Sequence, residues 1–86
     1  MFHTYVLRSQ ATGRYYIGST DNLEQRLVYH NTNKTKYTRG KGPWELAWSE
    51  SHSSRSDAMK REREFKGWKN RAYLERKLDI GSGSVG

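Results

Sequence analysis

Residues 2–8, Phe2-His3-Thr4-Tyr5-Val6-Leu7-Arg8, are rich in aromatic and β-branched types and predict a strand. Period-two geometry puts His3, Tyr5 and Leu7 on one face and Phe2, Thr4 and Val6 on the other. Residues 9–13 predict a turn, and Arg14 to Ser19 a returning strand, with Tyr15 and Ile17 on one face and Tyr16 and Gly18 on the other. Asp21, with Glu24 three residues later, predicts an N-cap for a helix running to about Asn31. Leu23 and Leu27 form that helix's apolar stripe, with Arg26 and His30 at the stripe's edge. Residues 31–43 predict a polar loop. Trp44 to Glu50 reads as a third strand with Trp44, Leu46 and Trp48 on its core face. After a serine-rich loop, a second helix is expected from near Asp57 to about Trp68. A third, from about Asn70 to Leu78, carries Ala72, Leu74 and Leu78.

The order β-β-α-β-α-α predicts an α+β fold, a small three-stranded mixed or antiparallel sheet flanked by helices. No repeat is visible. A single domain over residues 1–80 is expected, with 81–86, rich in glycine and serine, as a flexible tail.

Composition sharpens this picture. Only 33% of the 86 residues are hydrophobic, so the core must lean on three Trp, six Tyr and two Phe, each burying on the order of 150–250 Å². Cysteine is absent, which excludes disulfides and thiolate metal sites. The net charge of +7 points to a polyanionic partner, nucleic acid before any membrane, since no stretch is long and apolar enough to span one. The first residues carry no signal-peptide pattern, and a cytoplasmic location is the expectation. Oligomeric state is not legible.

One polar residue stands out. On the second helix Ala58, Glu62 and Phe65 fall at i, i+4 and i+7, so Glu62 interrupts the only apolar stripe, whereas Glu64 falls among basic neighbours. A carboxylate turned toward the sheet must be paired, protonated or bound to metal. Arg26 is the obvious partner for an internal ion pair. A lone carboxylate equally suits Mg²⁺, which keeps most of its waters and takes one or two carboxylates plus phosphate oxygens.

The remaining candidates divide the same way. A tyrosine on a strand is first a core aromatic, but Tyr5 and Tyr16 share the face that Arg26 and Glu62 could join. Phenols titrate near pH ~10, so a catalytic role needs a cation nearby. Arg26 is either the partner of Glu62 or a fork for phosphate. His30 is either a helix-end hydrogen bonder or a proton acceptor. Lys34, Lys36, Arg39 and Lys41, with Tyr37 among them, and Lys66 on the second helix, read as a nucleic-acid contact surface or as solvated charge.

Taken in order, Tyr5-Val6-Leu7, Tyr16-Ile17-Gly18-Ser19-Thr20, Arg26-Leu27 with His30-Asn31, and Ala58 with Glu62 resemble the GIY-YIG nuclease domain, small stand-alone bacterial type. Lys36-Tyr37-Thr38 and Pro43 extend the likeness, which covers residues 3–78. The resemblance implies a catalytic set of Tyr5, Tyr16, Arg26, His30 and Glu62. In it Glu62 holds one Mg²⁺ (or Mn²⁺) and Arg26 stabilises the phosphorane. Tyr5 acts as base or orients the attacking water, assisted by His30, and Tyr16 completes the site. The products implied are a 5′-phosphate and a 3′-hydroxyl. Two positions depart from the family pattern: the first motif reads His3-Thr4-Tyr5, and position 74 is Leu where many catalytic members carry Asn. The expected function is divalent-metal-dependent hydrolysis of DNA phosphodiesters, weak or full, selective for nucleic-acid shape, in repair or recombination. The alternative is a non-catalytic basic module binding DNA or RNA.

Overall fold

The computed structural model describes residues 1–32, 42–68 and 70–80. The elements run β1 (Phe2–Ser9), β2 (Tyr15–Thr20), α1 (Leu23–Asn31), β3 (Trp44–His52), α2 (Arg55–Lys66) and α3 (Arg71–Leu78). The sheet is antiparallel throughout, in the order β2-β1-β3. β1 is therefore central, which is why Thr4, Tyr5, Val6 and Leu7 are all buried. Thr4, the polar member, donates its hydroxyl proton to the Ala58 carbonyl at 2.8 Å, so its burial leaves no unmade hydrogen bond.

Each sheet face carries its own half-core. Tyr5, Leu7 and Trp44 pack with Tyr16 and the α1 leucines, Leu23 and Leu27. On the other face Val6 packs with Phe65 of α2 and Leu74 and Leu78 of α3, bordered by Tyr15, Ile17 and Trp68. The alternation expected in the hairpin is thus the alternation observed. Its turn is closed by Ser9, whose hydroxyl accepts the Ala11 and Thr12 amides, and by Gly13 at φ +78°.

The third strand departs from the expected pattern. Val6 faces Trp48 while Leu7 faces Leu46, so Ala47 is an extra residue in β3. This bulge sends Trp48 to the Val6 face and leaves Trp44 and Leu46 on the other. Trp44, Leu46 and Trp48 therefore do not share a core face, and Leu46 is exposed.

Helix starts shift too. Asn22, not Asp21, caps α1, its side chain accepting the Gln25 amide at 3.0 Å. Asp21 falls outside the cap because β2 continues through Thr20, whose hydroxyl accepts the Asn22 amide at 3.1 Å. Ser54 caps α2, which begins at Arg55, two residues before the expected start, and Asn70 caps α3. Of the α3 trio, Leu74 and Leu78 are buried and Ala72 is exposed. At the end of α1, the Asn31 carboxamide grips the Trp44 backbone twice, accepting its N–H at 2.6 Å and donating to its carbonyl at 3.0 Å. The cationic positions Lys34, Lys36, Arg39 and Lys41, with Tyr37, lie outside the described residues, as do 81–86.

Candidate active site

The site is built on a close approach between β1 and β2. Tyr5 lies opposite Gly18 in the hairpin register. A Cβ on Gly18 would stand 2.5 Å from the Tyr5 hydroxyl oxygen and 2.7 Å from its Cζ. Only glycine lets the Tyr5 ring lie across β2 and carry its hydroxyl to the sheet's edge. There the hydroxyl meets His30 Nε2 at 3.1 Å, with His30 itself buried near the end of α1. Tyr16 completes the cluster, its ring 6.4 Å from Tyr5 and 4.6 Å from His30.

Arg26 stands one turn before His30 on the same side of α1. Its guanidinium lies 5.2 Å from the Tyr29 ring and borders an open cavity of about 620 Å³ shared with Thr20 and Asp21, so it is reachable from outside. Its charge is felt in the cluster. Burial, then Arg26, hold His30 below its ordinary pKa of 6.5. Burial, then Tyr16, raise Tyr5 far above the ordinary tyrosine value, Arg26 opposing and Glu62 adding to the rise. At neutral pH the pair is a neutral phenol against a neutral imidazole.

Glu62 approaches from the opposite side. It belongs to α2, beneath the Val6 face, yet it is not enclosed there: its side chain keeps 21% exposure. Ser19 donates to one carboxylate oxygen at 2.8 Å and Lys66 to the other at 2.6 Å. Ser19 follows Gly18 directly, and β2 is an edge strand. The Tyr5 phenol lies against Gly18 and the Glu62 carboxylate against Ser19, so the two flank adjacent residues of this edge strand from its two faces. The expected Arg26 partner is not the one observed: Lys66, expected to contact nucleic acid, takes that place as an exposed i,i+4 pair. Such pairs are worth only about 0.3–0.5 kcal/mol, so Lys66 is easily displaced.

Among the described residues no three His, Cys, Asp or Glu side chains gather into a metal cage. The oxygen set that does exist, an accessible carboxylate with a neighbouring hydroxyl, suits a hard, largely hydrated divalent ion and no softer metal. Leu74 is a buried core residue, and no carboxamide stands in its place. Three residues that shape the site escaped the sequence reading as such. Gly18 had a signal, an isolated glycine inside a strand pattern. Ser19 and Asn31 stood in the motifs that carry the family resemblance, but their roles were not legible because their partners are distant in sequence.

In comparison with known proteins, the domain that this chain matches has a nuclease-type fold. Residues 1–77 match the GIY-YIG catalytic domain, and the chain belongs to the GIY-YIG family. It is 41% identical over 75 residues to a UPF0213 protein of Bacillus pumilus, covering 83% of this chain and 76% of that one. It is 42% identical over 67 residues to a UPF0213 protein of Halobacterium salinarum, covering 77% and 86% respectively. The solution NMR structure of a UPF0213 protein from Bacillus halodurans superposes with a TM-score of 0.57 at 32% identity, covering 92% of this chain and 84% of that one. The fold implies a nucleic-acid substrate, and nucleases of the family generally use divalent metals. No helix among the described residues is long and apolar enough to cross a membrane.

Proposed function

We propose that the protein is a divalent-metal-dependent endonuclease that hydrolyses DNA phosphodiester bonds at branched, flapped or single-stranded structures, in cytoplasmic repair or recombination. The observation that carries this reading is the buried Tyr5–His30 hydrogen bond reaching the strand edge where Glu62 stands. A buried tyrosine needs a partner for its hydroxyl, but a purely structural one needs neither a cation on one side nor an accessible carboxylate on the other.

The protonation states select a relay over a phenolate. The attacking water gives a proton to the Tyr5 oxygen as Tyr5 passes its own along its hydrogen bond to His30 Nε2. His30 ends as imidazolium and Tyr5 stays neutral throughout. The water oxygen forms the new bond to phosphorus, and the bond to the 3′ oxygen breaks. That oxygen takes a proton from solvent to become the 3′-hydroxyl, and the imidazolium later returns its proton to solvent. Arg26, always charged, faces the negative charge that grows on the phosphoryl oxygens. Tyr16 packs against the His30 ring and holds its orientation. Glu62, steadied by Ser19, would hold a Mg²⁺ (or Mn²⁺) once Lys66 turns away. When bound, that ion supplies Lewis-acid stabilisation of the leaving oxygen.

The cationic residues Lys34, Lys36, Arg39, Lys41 and Lys66, with Tyr37, are assigned to the phosphate backbone. A second reading, a basic binding module without catalysis, is favoured by Leu74, which leaves the site short of one carboxamide. Flap, branched and single-stranded DNA incubated with and without Mg²⁺ or Mn²⁺ separates the two. Metal-dependent cleavage lost in Glu62→Ala is the expected result. Salt-dependent binding with no cleavage by the wild type supports the module instead, and cleavage unchanged in Glu62→Ala removes Glu62 from the site.

A further inference from the structure

The same edge of β2 leads away from the site into a groove that the proposed chemistry leaves unused. Its floor is Tyr15, Ile17, Phe65 and Trp68, shared by two adjoining stretches. The near stretch is bordered by Tyr16 and Lys66, and so begins at the catalytic cluster. The far stretch, about 490 Å³, is bordered by Arg14 and Arg71. That volume falls within the roughly 300–1,000 Å³ of small-molecule sites.

The groove's chemistry narrows its occupant. Trp68 is half-buried and fixed, its ring 4.8 Å from Phe65 and edge-on to Tyr73 at 5.6 Å. Tyr15 is held from behind by its hydrogen bond to Glu75 at 2.7 Å, and burial and that carboxylate push its pKa up to about 12, so it stays a neutral ring. Both are rigid aromatic surfaces, and a rigid surface binds with little loss of side-chain freedom. Lys66, Arg14 and Arg71 are exposed cations at the two ends; Arg71 is positioned by donating to the Gly13 carbonyl at 3.2 Å. An apolar peptide fits the floor but leaves three cations unanswered. A base pair inside a duplex has no free face to offer the floor. An unstacked nucleotide answers both, with its base on the rings and its flanking phosphates on the cations.

We propose that this groove binds one or two unpaired nucleotides of the substrate strand beside the scissile phosphate. The proposal rests on the nuclease reading, because it takes the Tyr16–Lys66 end as the junction with the site. It makes the β2 edge the source of shape selectivity: strands that can splay a base reach the groove and paired ones do not.

The test is fluorescence anisotropy in EDTA, where binding proceeds without cleavage, using a flapped DNA and a blunt duplex. Trp68→Leu keeps apolar packing against Phe65 while removing the π face, and an unchanged melting temperature identifies it as folded; Tyr15→Leu is the second variant. Each is expected to lose roughly 5- to 150-fold affinity for the flap, with duplex binding within twofold of wild type. A 5-iodouracil beside the scissile position is expected to photocrosslink to Trp68 or Tyr15. Arg14→Gln with Arg71→Gln is expected to flatten the salt slope by about 1.4, two single-strand phosphate contacts. Flap affinity within twofold of wild type in both leucine variants overturns the proposal. So does equal weakening on flap and duplex, or disruption of a dimer in place of DNA binding, which would make a second copy of the chain the occupant. Those failures leave the Glu62→Ala cleavage test untouched, so a wrong groove and a wrong nuclease assignment are told apart.

Discussion

At the residue scale, the site turns on two groups pushed in opposite directions. Burial raises Tyr5 and lowers His30, so each is held neutral. For His30 the lowered folded pKa means the unfolded chain binds the proton first as pH falls. Its stabilising contribution is therefore complete above about pH 6.5 and is lost as pH drops through the folded value. An NMR titration of the His30 ring should give a pKa below 6.5, moving upward in Arg26→Gln as the cation that helps depress it is removed. A titration unmoved by Arg26→Gln would separate Arg26 from the cluster. Cleavage should show its acid limb at that same lowered value, because only the neutral imidazole can end the relay.

Gly18 offers a second residue-scale test. In Gly18→Ala the new methyl meets the Tyr5 hydroxyl and Cζ, and the ring must shift. Overpacking of this kind costs about 1–3 kcal/mol, readable as a lower urea midpoint. Activity should fall much further than stability, since a displaced phenol no longer reaches His30. Full cleavage by a destabilised Gly18→Ala would show that Tyr5's position is structural.

At the element scale, Asn31 is the clamp between α1 and β3. Asn31→Ala leaves the buried Trp44 backbone short of both partners, at about 1–3 kcal/mol per unsatisfied group. Urea unfolding should show a loss in that range, with cleavage reduced as His30, the preceding residue, loses its anchor. Loss below about 0.5 kcal/mol would mean that water replaces the carboxamide.

Elements were also where the sequence was most and least legible. The hairpin could be read face by face because side-chain period and hydrophobic pattern agreed at Tyr5, Val6, Tyr15, Tyr16 and Ile17. The third strand could not, because a bulge at Ala47 is a pairing property, and no local pattern in Trp44-Glu45-Leu46-Ala47-Trp48 marks the extra residue. Asp21 and Asn22 are both good caps, and the choice between them was made by the length of β2. Glu62 stands out in the sequence as a carboxylate on its helix's apolar stripe. Its surroundings were misjudged because a wheel gives direction but not depth: the helix lies so that this direction leads past the edge of the sheet, to Ser19 and Lys66, and not under it to Arg26.

At the scale of the whole molecule, the three-stranded sheet has two edges, β2 and β3, and it is β2 that the polar groups of both faces approach. The Tyr5, Tyr16 and His30 cluster arrives there from the α1 face, Glu62 from the α2 face, and the Trp68 groove continues along it. With a net charge of +7, nucleic-acid binding should weaken steeply with salt whichever variant is used. Salt dependence alone therefore separates binding from non-binding but not catalysis from its absence.

The most direct measurement is single-turnover cleavage of one flapped DNA by wild type, Tyr5→Phe, His30→Gln and the double variant, at saturating protein and Mn²⁺. If Tyr5 and His30 form one relay, each single change should slow cleavage by at least about 100-fold, and the double change should be no slower than the worse single one. Losses that multiply, or a Tyr5→Phe rate within a few-fold of wild type, would contradict the relay and return the Tyr5–His30 hydrogen bond to the core.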